Sequence, residues 1–309
     1  MPSDTGGASS SQVIATATVD RVERISPSFA RVWFRGPDLA DFGNPGRTFD
    51  QRIKVILPPP SGRLPRLSAG SDWWTQWQTL PEAARGVMRT YSIRDIQGEG
   101  ADTSIVVDFV LHLAEGLAGP ASRWASLAAP GDRVLLFGPR RGVIGSGLEF
   151  RPADATTVLL AGDETAAPAI ARILLDLEPG PGGAAFIEVP TASDALPLPA
   201  PPGFEVRWLP RNGSSYGARL IPAVLEQLGV RQHGAVQDAA TEFPVWETPS
   251  YSSLGEELSG ADGRPGLYAW IAGESGVVTT LRRHLVRDLG LARSQVAFMG
   301  YWRIGRAGS

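Results

Sequence analysis

The hydrophobic pattern changes once along the chain, at the polar segment 149–154, and this change limits the possible folds more than any other feature. Before it, apolar residues occur in short runs bounded by glycine and proline: 13–19, 30–34, 51–57, 88–94, 105–113 and 134–137. Such runs predict a small antiparallel barrel. After it, short apolar strands alternate with helices that carry one apolar face. This predicts a parallel, doubly wound sheet whose ligands lie at the carboxyl ends of the strands.

A length of 309 residues fits two domains, at about 100–200 residues each. We expect residues 13–150 to form the barrel and residues 151–309 to form the α/β domain. Residues 1–12, rich in serine and glycine, are expected to be a disordered tail. The connection 61–87 contains three tryptophans that we expect to close a core rather than to form a binding patch: Trp73, Trp74 and Trp77.

The composition removes several kinds of chemistry. The chain has no cysteine, which excludes disulfides, thiolate catalysis and cysteine-bound iron–sulfur clusters. The histidines His112, His233 and His284 have no close histidine neighbour, so we expect no dedicated metal site. The net charge of −3 gives no basic field for nucleic acid. No apolar run is long enough to cross a bilayer and residues 1–12 lack a signal-peptide pattern, so we expect a cytoplasmic protein without membrane insertion.

The run Arg89–Arg94 combines a cation, an aromatic ring and a hydroxyl, which are groups that a flavin needs. At the two-residue period of a strand, Arg89 and Tyr91 point to one face and Ser92 to the other. Arginine can hold a pyrophosphate through its planar fork, tyrosine can stack on a ring system, and serine can reach a ring nitrogen. Taken alone, a run of this kind is more often an exposed strand.

The motifs that follow this run are more specific as a series than singly. In chain order they are Val106–His112, Gly119–Ala125, Gly131–Val134, Gly138–Arg140, Leu160–Ile170, Ala269–Glu274 and Gly300–Arg303. The series resembles the siderophore-interacting proteins, which are flavin-dependent ferric-siderophore reductases related to ferredoxin–NADP reductase. The resemblance covers about residues 13 to 306. It implies a six-stranded Greek-key β-barrel that binds FAD, followed by a nicotinamide-nucleotide-binding domain built on a parallel sheet.

The resemblance also implies which barrel residues contact FAD. They are Arg89, Thr90, Tyr91, Ser92, Asp108, Val110, His112, Gly119, Ala121 and Ser122. Ser92 is expected to hydrogen-bond the flavin N5 and is the one catalytic residue we assign. Asp108 and His112 share a strand face and are taken as cofactor contacts rather than as acid–base groups. Gly119–Ser122 looks like a helix start, which the spacing alone explains equally well as an ordinary capped helix or as a phosphate site.

No G-x-G-x-x-G follows the first strand of the second domain, so motifs alone do not identify a nicotinamide site there. The resemblance assigns NAD(P)H contacts to Gly162, Asp163, Glu164, Thr165, Ala166, Glu188, Gly273, Glu274 and Trp302. Glu188 has two interpretations, a ribose ligand or a solvated side chain. Loop arginines such as Arg207 and Arg211 leave the choice between NADH and NADPH open. Either Tyr301 or Trp302 is expected to gate access of the nicotinamide, and the alternative is that Trp302 packs the last strand into the core.

The substrate contacts are inferred from the basic residues. Lys54 is the only lysine among 29 basic residues. In the family that the chain resembles, a lysine at this place and an arginine of the Gly-Pro-Arg stretch lie at the open side of the flavin. We therefore expect an anionic ferric siderophore to bind four cations: Lys54, Arg140, Arg141 and Arg303. The alternative is that they form a solvated barrel rim.

The function predicted from these features is NAD(P)H-dependent reduction of ferric siderophores through FAD, with release of Fe(II), by a monomer. Two alternatives remain open at this point. A general flavin-dependent oxidoreductase with another acceptor would keep its turnover of ferric chelates after Lys54→Ala. A non-enzymatic iron-chelate binder would be colourless. The sequence identifies neither the siderophore nor the role of residues 233–260.

Overall fold

The N-terminal half folds as a barrel. The structure is a computed structural model that describes residues 10–43, 46–68, 70, 72–112, 118–143, 147–230, 245–249, 251–252 and 264–305. The barrel strands are β1 (Gln12–Ser26), β2 (Phe29–Arg35), β3 (Arg52–Leu57), β4 (Val87–Ser92), β5 (Asp95–Gln97), β6 (Ser104–Val110) and β7 (Arg133–Pro139). Strand β1 begins within the expected tail, and residues 1–9 lie outside the described part of the chain.

The barrel strands lie in the order β4-β3-β7-β1-β2-β6-β5, and all neighbours are antiparallel. Only Ile93 and Arg94 separate β4 from β5. The Ile93 N–H donates to the Gln51 carbonyl and the Arg94 N–H to the Val106 carbonyl, each at 2.9 Å. These bonds make β4 and β5 one bent strand that joins both edges of the sheet. The predicted six-stranded Greek-key barrel is confirmed, with its fourth strand divided in two.

In the described residues, three α-helices accompany the barrel, α1 (Trp73–Thr79), α2 (Glu82–Arg85) and α3 (Pro120–Leu127), together with two short 3-10 helices, Pro37–Leu39 and Gly100–Asp102. Helix α3 packs Ala121, Ala125 and Trp124 against the core of the barrel. Helix α1 lies on the outer face, where Trp73 stacks on Phe137 with ring centroids 3.9 Å apart. The expectation that the tryptophans close a core is confirmed for Trp73 and Trp77, which pack on a small outer cluster: Ile56, Met88 and Leu135.

The second half contains the strands β8 (Thr157–Gly162), β9 (Gly182–Val189), β10 (Phe204–Pro210), β11 (Trp246–Thr248), β12 (Tyr251–Ser252), β13 (Leu267–Glu274) and β14 (Val296–Trp302). They form one sheet in the order β10-β9-β8-β13-β14-β11-β12. The first five strands are parallel, as predicted. The last two form an antiparallel hairpin on β14, so the sheet is mixed rather than purely parallel. This hairpin accounts for part of the unassigned segment 233–260, whose remaining residues lie outside the described chain.

The helices of the second domain cover both faces of its sheet: α4 (Ala167–Asp176), α5 (Leu220–Gln227) and α6 (Ser275–Arg283), which continues as a π-helical turn (His284–Asp288). Helix α4 packs on the face that also receives Phe29 and Phe150 from the barrel side. Helices α5 and α6 pack together on the opposite face. The two domains therefore share one apolar cluster. None of the helices in the described chain is long and apolar enough to cross a membrane.

Polar contacts reinforce this junction. The Arg172 guanidinium on α4 donates to Asp95 of the barrel at 2.6 Å, to the Gly46 carbonyl at 2.7 Å and to Asp176 at 2.8 Å. Asp194 accepts from the Ser26 hydroxyl and the Ser28 N–H, both at 2.8 Å. Arg172 is buried and pairs with Asp176 of its own helix, whereas its bonds to Asp95 and the Gly46 carbonyl exist only in the docked arrangement.

Replacing Arg172 by methionine is expected to lower the free energy of unfolding by about 2 kcal/mol, because Asp176 then stays buried without its cation. The partial exposure of Asp95 keeps the effect below that of a fully buried pair. Urea unfolding measures the change. Arg207→Met is the matched control, since the Arg207–Glu205 pair is exposed and its loss is expected to leave the free energy of unfolding nearly unchanged. Equal effects of the two substitutions would contradict the interpretation.

Candidate functional site

Strand β4 sends its side chains alternately into and out of the barrel. Tyr91 packs inward against Phe109 at 4.4 Å, and burial raises the pKa of its hydroxyl. Thr90 and Ser92 point outward, as the two-residue period predicts. Arg89 lies on the same face as Tyr91 and donates to the Met88 carbonyl at 2.7 Å. The four predicted flavin contacts of this strand are thus divided between its two faces.

The outward side chains form rows across neighbouring strands. Lys54 on β3 is the register partner of Thr90 on β4 and of Phe137 on β7. The Lys54 Nζ donates to the Thr90 hydroxyl at 2.7 Å. Burial, and secondarily the Arg52 charge, lowers the pKa of Lys54. In the next row Ser92 pairs with Arg52.

Tyr301, on the last strand of the second domain, lies next to the outward-facing Ser92 and Arg52 of the barrel. Its ring lies between Trp246 and Trp270, at centroid distances of 6.2 and 6.4 Å. Its hydroxyl lies beside Ser92 and Arg52, and burial raises its pKa. Within the described chain, this buried hydroxyl has no hydrogen-bond partner of acceptable geometry. A buried hydroxyl of this kind is available to a bound group.

The start of helix α3 is fixed to the end of β6. The Ser122 hydroxyl donates to the Val110 carbonyl at 3.0 Å and accepts from the His112 N–H at 3.3 Å. Gly119 caps the helix and Pro120 follows it, so the N–H groups of the first turn point out without acceptors inside the helix. The Ser122 hydroxyl therefore makes its hydrogen bonds within the protein, while the backbone N–H groups of Ala121 and Ser122 have the geometry that suits a phosphate.

Asp108 differs from the other predicted flavin contacts. It is buried, and Arg31 donates to its two oxygens at 2.7 and 2.8 Å. The Arg94 Nε is 3.7 Å from the same carboxylate. Asp108 thus belongs to an ion-pair cluster on the outer wall of the barrel, beside a cleft of about 310 Å³ at the domain junction. The structure does not bring it together with the Ser92 row.

The predicted NAD(P)H residues converge on Asp163, which follows β8. The Asp163 Oδ2 accepts from the Glu274 N–H at 2.7 Å and from the Trp302 indole N–H at 2.8 Å. Its Oδ1 accepts from the Thr165 N–H at 2.9 Å and from the Thr165 hydroxyl at 2.5 Å. One carboxylate therefore connects the loop after β8 with the last residue of β13 and the last residue of β14. Burial, and secondarily the Glu164 charge, raises its pKa to about 6.

Two of the predicted glycines are required by this packing. Gly273 has φ of 138°, and a Cβ there would lie 2.7 Å from the Asp163 Oδ2. A Cβ on Gly162 would lie 2.4 Å from the Ala166 Cβ and 2.5 Å from the Ala272 carbonyl. Any larger residue at either position would push Asp163 or Ala166 out of place.

Glu164 forms a second, buried polar cluster. Arg211 donates to its two oxygens at 2.7 and 2.9 Å, and the Tyr216 hydroxyl donates at 3.2 Å. The His112 ring lies 3.8 Å from Glu164 by its Nδ1 and 5.9 Å from the ring of Trp302. Burial lowers the pKa of His112. The predicted FAD residue His112 therefore meets the predicted NAD(P)H loop here.

Tyr216 was missed from the sequence. Its ring packs edge-on against Trp302 at 4.7 Å, and Arg211 lies over it at 4.0 Å. The next residue, Gly217, has φ of 80°, so the glycine itself predicts a turn here. The local sequence does not predict that the turn places Tyr216 against Trp302. Arg211 is buried in the same cluster, and Arg207 pairs with Glu205 on the surface. The choice between NADH and NADPH stays open.

The expectation for Glu188 is wrong. Its side chain is buried rather than solvated, and its oxygens accept from the N–H groups of Gly217, Arg219 and Leu220 at 2.8, 2.9 and 3.1 Å. These bonds satisfy the start of helix α5, which otherwise lacks acceptors. The carboxylate predicted to face a ribose instead caps a helix.

The predicted substrate cations do not form one cluster. Arg140 donates to the Ser10 carbonyl at 2.8 Å and to Asp41 at 3.0 Å, and Arg141 donates to the Thr103 hydroxyl at 2.9 Å. Both arginines are therefore held by barrel groups, whereas Lys54 faces the Thr90 row. Arg303 is partly buried just after β14. The Glu274 side chain caps α6, accepting from the Gly276 N–H at 2.7 Å, so its contribution to the loops is through its backbone.

The residues at this junction fit a flavin. A flavin ring presents nitrogen and oxygen acceptors along one edge, and the outer row offers the Ser92 hydroxyl and the unpartnered Tyr301 hydroxyl. The first turn of α3 offers backbone N–H groups to a pyrophosphate, and the Arg89 cation lies on the adjacent strand. The fold and the site together define a two-domain flavoprotein, in which an FAD-binding barrel is followed by an α/β domain with a mostly parallel sheet.

Comparison with known proteins names the family. Residues 18–143 match the siderophore-interacting FAD-binding domain, and residues 155–305 match the siderophore-interacting protein model. The chain belongs to the siderophore-interacting protein family. It is 33% identical to an uncharacterized protein of Mycobacterium tuberculosis, over 96% of this chain and 90% of that protein.

Two further relatives have more informative names. The NADPH-dependent ferric-chelate reductase of Escherichia coli is 31% identical, over 67% of this chain and 76% of that protein. The crystal structure of a siderophore utilization protein from T. fusca shares 29% identity with a TM-score of 0.70, over 97% of this chain and 96% of that one. The resemblance inferred from the sequence motifs is thus confirmed at the level of the family.

Proposed function

We propose that this protein is an FAD-dependent NAD(P)H oxidoreductase that reduces ferric siderophores and releases Fe(II). The observation that carries the proposal is the position of two consecutive residues of β14. Tyr301 lies beside Ser92 of the barrel, and Trp302 is bonded to Asp163 of the nucleotide loop. In this proposal, the residue that contacts the flavin and the residue that contacts the nicotinamide are adjacent along one strand. The similarity to the NADPH-dependent ferric-chelate reductase of E. coli supports ferric chelates as acceptors and NADPH as a donor.

When bound, FAD supplies the conversion of a hydride from NAD(P)H into the single electrons that Fe(III) accepts. The chain supplies binding and orientation. Ser92 and Tyr301 donate hydrogen bonds toward the ring edge, and the start of α3 with Arg89 holds the pyrophosphate. Asp163 fixes Trp302 beside the nicotinamide. Lys54 attracts the anionic ferric chelate, whose hard oxygen ligands bind Fe(II) less tightly than Fe(III).

The test is the visible spectrum of the purified, FAD-loaded protein under anaerobic conditions. A stoichiometric addition of NADPH or NADH is expected to bleach the flavin bands, and a ferric siderophore added next is expected to restore them. Bleaching without recovery would leave a flavin-dependent oxidoreductase with another acceptor. Failure to bind FAD at all would leave only a chelate binder. The nucleotide that bleaches faster identifies the donor.

The proposal includes a cytoplasmic location and a monomeric state. NAD(P)H is regenerated in the cytoplasm, which is where a reductase that consumes it has a continuous supply. Cell fractionation followed by detection of the protein tests the location. Light scattering of the purified protein tests the oligomeric state, and a mass of twice the chain's 32.9 kDa would contradict the monomer.

A further inference from the structure

Helix α1 presents tryptophans on the outer face of the barrel, which we call the tryptophan wall: Trp73, Trp74 and Trp77. Trp73 and Trp77 are packed on the outer cluster of the barrel. Trp74 rests on both, stacked on Trp77 at 5.3 Å and edge-on to Trp73 at 5.6 Å. Its side chain nevertheless remains 43% exposed. Trp74 is therefore packed against protein on one side and exposed to solvent on the other, which is uncommon for so large an apolar side chain.

The wall begins next to the row that contains Lys54. Phe137 and Lys54 are directly opposite partners in antiparallel strands, so their side chains leave the same face about 5 Å apart. Trp73 stacks on that Phe137. On the other side of Lys54 lies Thr90, and the next row contains Ser92. An anion bound at Lys54 therefore has hydroxyl groups on one side and the tryptophan wall on the other.

Trp74 is the member of the wall that is open to a ligand. Trp77 is covered by Arg85, whose guanidinium lies 5.0 Å from the ring centroid, and its indole N–H donates to the Arg85 carbonyl at 3.0 Å. One face of Trp73 is occupied by Phe137. Trp73 and Trp77 are only partly exposed, whereas Trp74 is exposed and can stack on a further ring.

We propose that Trp74 determines specificity for ferric chelates whose iron ligands are aromatic, namely anionic catecholates and phenolates. The inference rests on the proposed function and adds a substrate class to it. Aryl ligands present flat rings at the surface of the chelate, and such rings stack favourably on an indole. Their ionised oxygens give the complex the negative charge that Lys54 complements. Aliphatic chelates of the same charge gain only the second interaction.

Gallium(III) complexes test this directly, because Ga(III) matches Fe(III) in charge and coordination but is not reduced. Binding to the FAD-loaded protein is measured by calorimetry for gallium tris-catecholate and for gallium citrate, an anion without rings. Trp74→Ala is expected to weaken tris-catecholate binding about tenfold and to leave citrate binding unchanged. Trp74→Phe is expected to retain most of the affinity. Leu127→Ala removes an exposed apolar side chain on α3 and serves as the matched control.

The outcomes separate this inference from the proposed function. If Trp74→Ala binds both complexes as the wild-type protein does, or weakens both equally, Trp74 does not select aromatic ligands. If Lys54→Ala weakens the binding of both gallium complexes while Trp74→Ala affects only the tris-catecholate, the division of roles holds. Should the gallium pattern appear without reduction of any ferric chelate by NAD(P)H, the binding site stands and the reductase function fails.

Discussion

Replacing Ser92 by alanine is expected to slow the reduction of bound FAD by NAD(P)H about 100-fold. Ser92 is buried on the outer row of the barrel, and Arg52 and the Tyr301 hydroxyl are the polar groups beside it. Removal of one preorganised donor from a buried site that develops charge costs about two to three orders of magnitude in rate. Stopped-flow measurement of flavin bleaching under anaerobic conditions gives the rate constant directly.

The matched control is Ser104→Ala. Ser104 is a buried serine of the same barrel, on β6, and its hydroxyl has no hydrogen-bond partner in the described chain. Removal of that hydroxyl is expected to leave both FAD content and the reduction rate unchanged. If Ser92→Ala keeps its FAD and is reduced at the wild-type rate, Ser92 is not the group that assists hydride transfer. A loss of FAD in Ser92→Ala alone would assign the residue to binding instead.

The parts of this fold that follow from the sequence are those with a repeating local pattern. The alternation in β4 predicted which side chains leave the barrel, because a strand has only two faces. The apolar stripe at Ile170, Ile173 and Leu174 predicted α4, because a helix on a sheet must bury one side. The division near residue 150 is visible because the two domains use different periods. The motif series named the segments that meet at Asp163, and their contact with a nicotinamide stays a prediction.

The parts that did not follow depend on partners distant in the chain. Glu188 and the N–H groups that it caps are about thirty residues apart, and nothing local marks a glutamate as a cap for a later helix. Trp302 is 139 residues from Asp163, its hydrogen-bond acceptor. The hairpin β11–β12 is too short to show a period of two, so its place at the sheet edge comes only from β14. Arg140 matched a motif, but Asp41 and Ser10 decide where its charge lies.

Asp163→Asn is the second substitution with a large expected effect, and its effect on stability is opposite to its effect on activity. Burial raises the folded-state pKa of Asp163 from 3.8 to about 6. The folded protein therefore binds a proton that the unfolded chain has already released between these pH values. The stabilising contribution is complete below about pH 4 and is lost as the pH rises through about 6. At about 1.4 kcal/mol per pKa unit, the full loss is about 3 kcal/mol.

Asparagine does not titrate, so the variant is expected to escape this loss and to unfold at higher urea concentration than the wild-type protein at neutral pH. The measurement is the difference in unfolding free energy between the two proteins at about pH 4 and at about pH 7. The difference reports Asp163 together with its electrostatic coupling to Glu164 and His112, while the more distant titratable groups, which both proteins share, cancel. A difference that does not change with pH would show that Asp163 has an ordinary pKa.

The hydrogen bonds that ionised Asp163 accepts explain why a carboxylate that lowers the free energy of unfolding at neutral pH is present at this position. Ionised Asp163 accepts from Thr165, Glu274 and Trp302 at once, whereas an amide or a protonated carboxyl cannot accept on both sides. We therefore expect kcat/KM for NAD(P)H to fall in the wild-type protein below about pH 6, as the Trp302 bond is lost. In Asp163→Asn the same parameter is expected to be about tenfold lower at neutral pH and independent of pH across this range. A variant that is both more stable and fully active would mean that Trp302 needs no anchor, and that the buried charge serves neither folding nor catalysis.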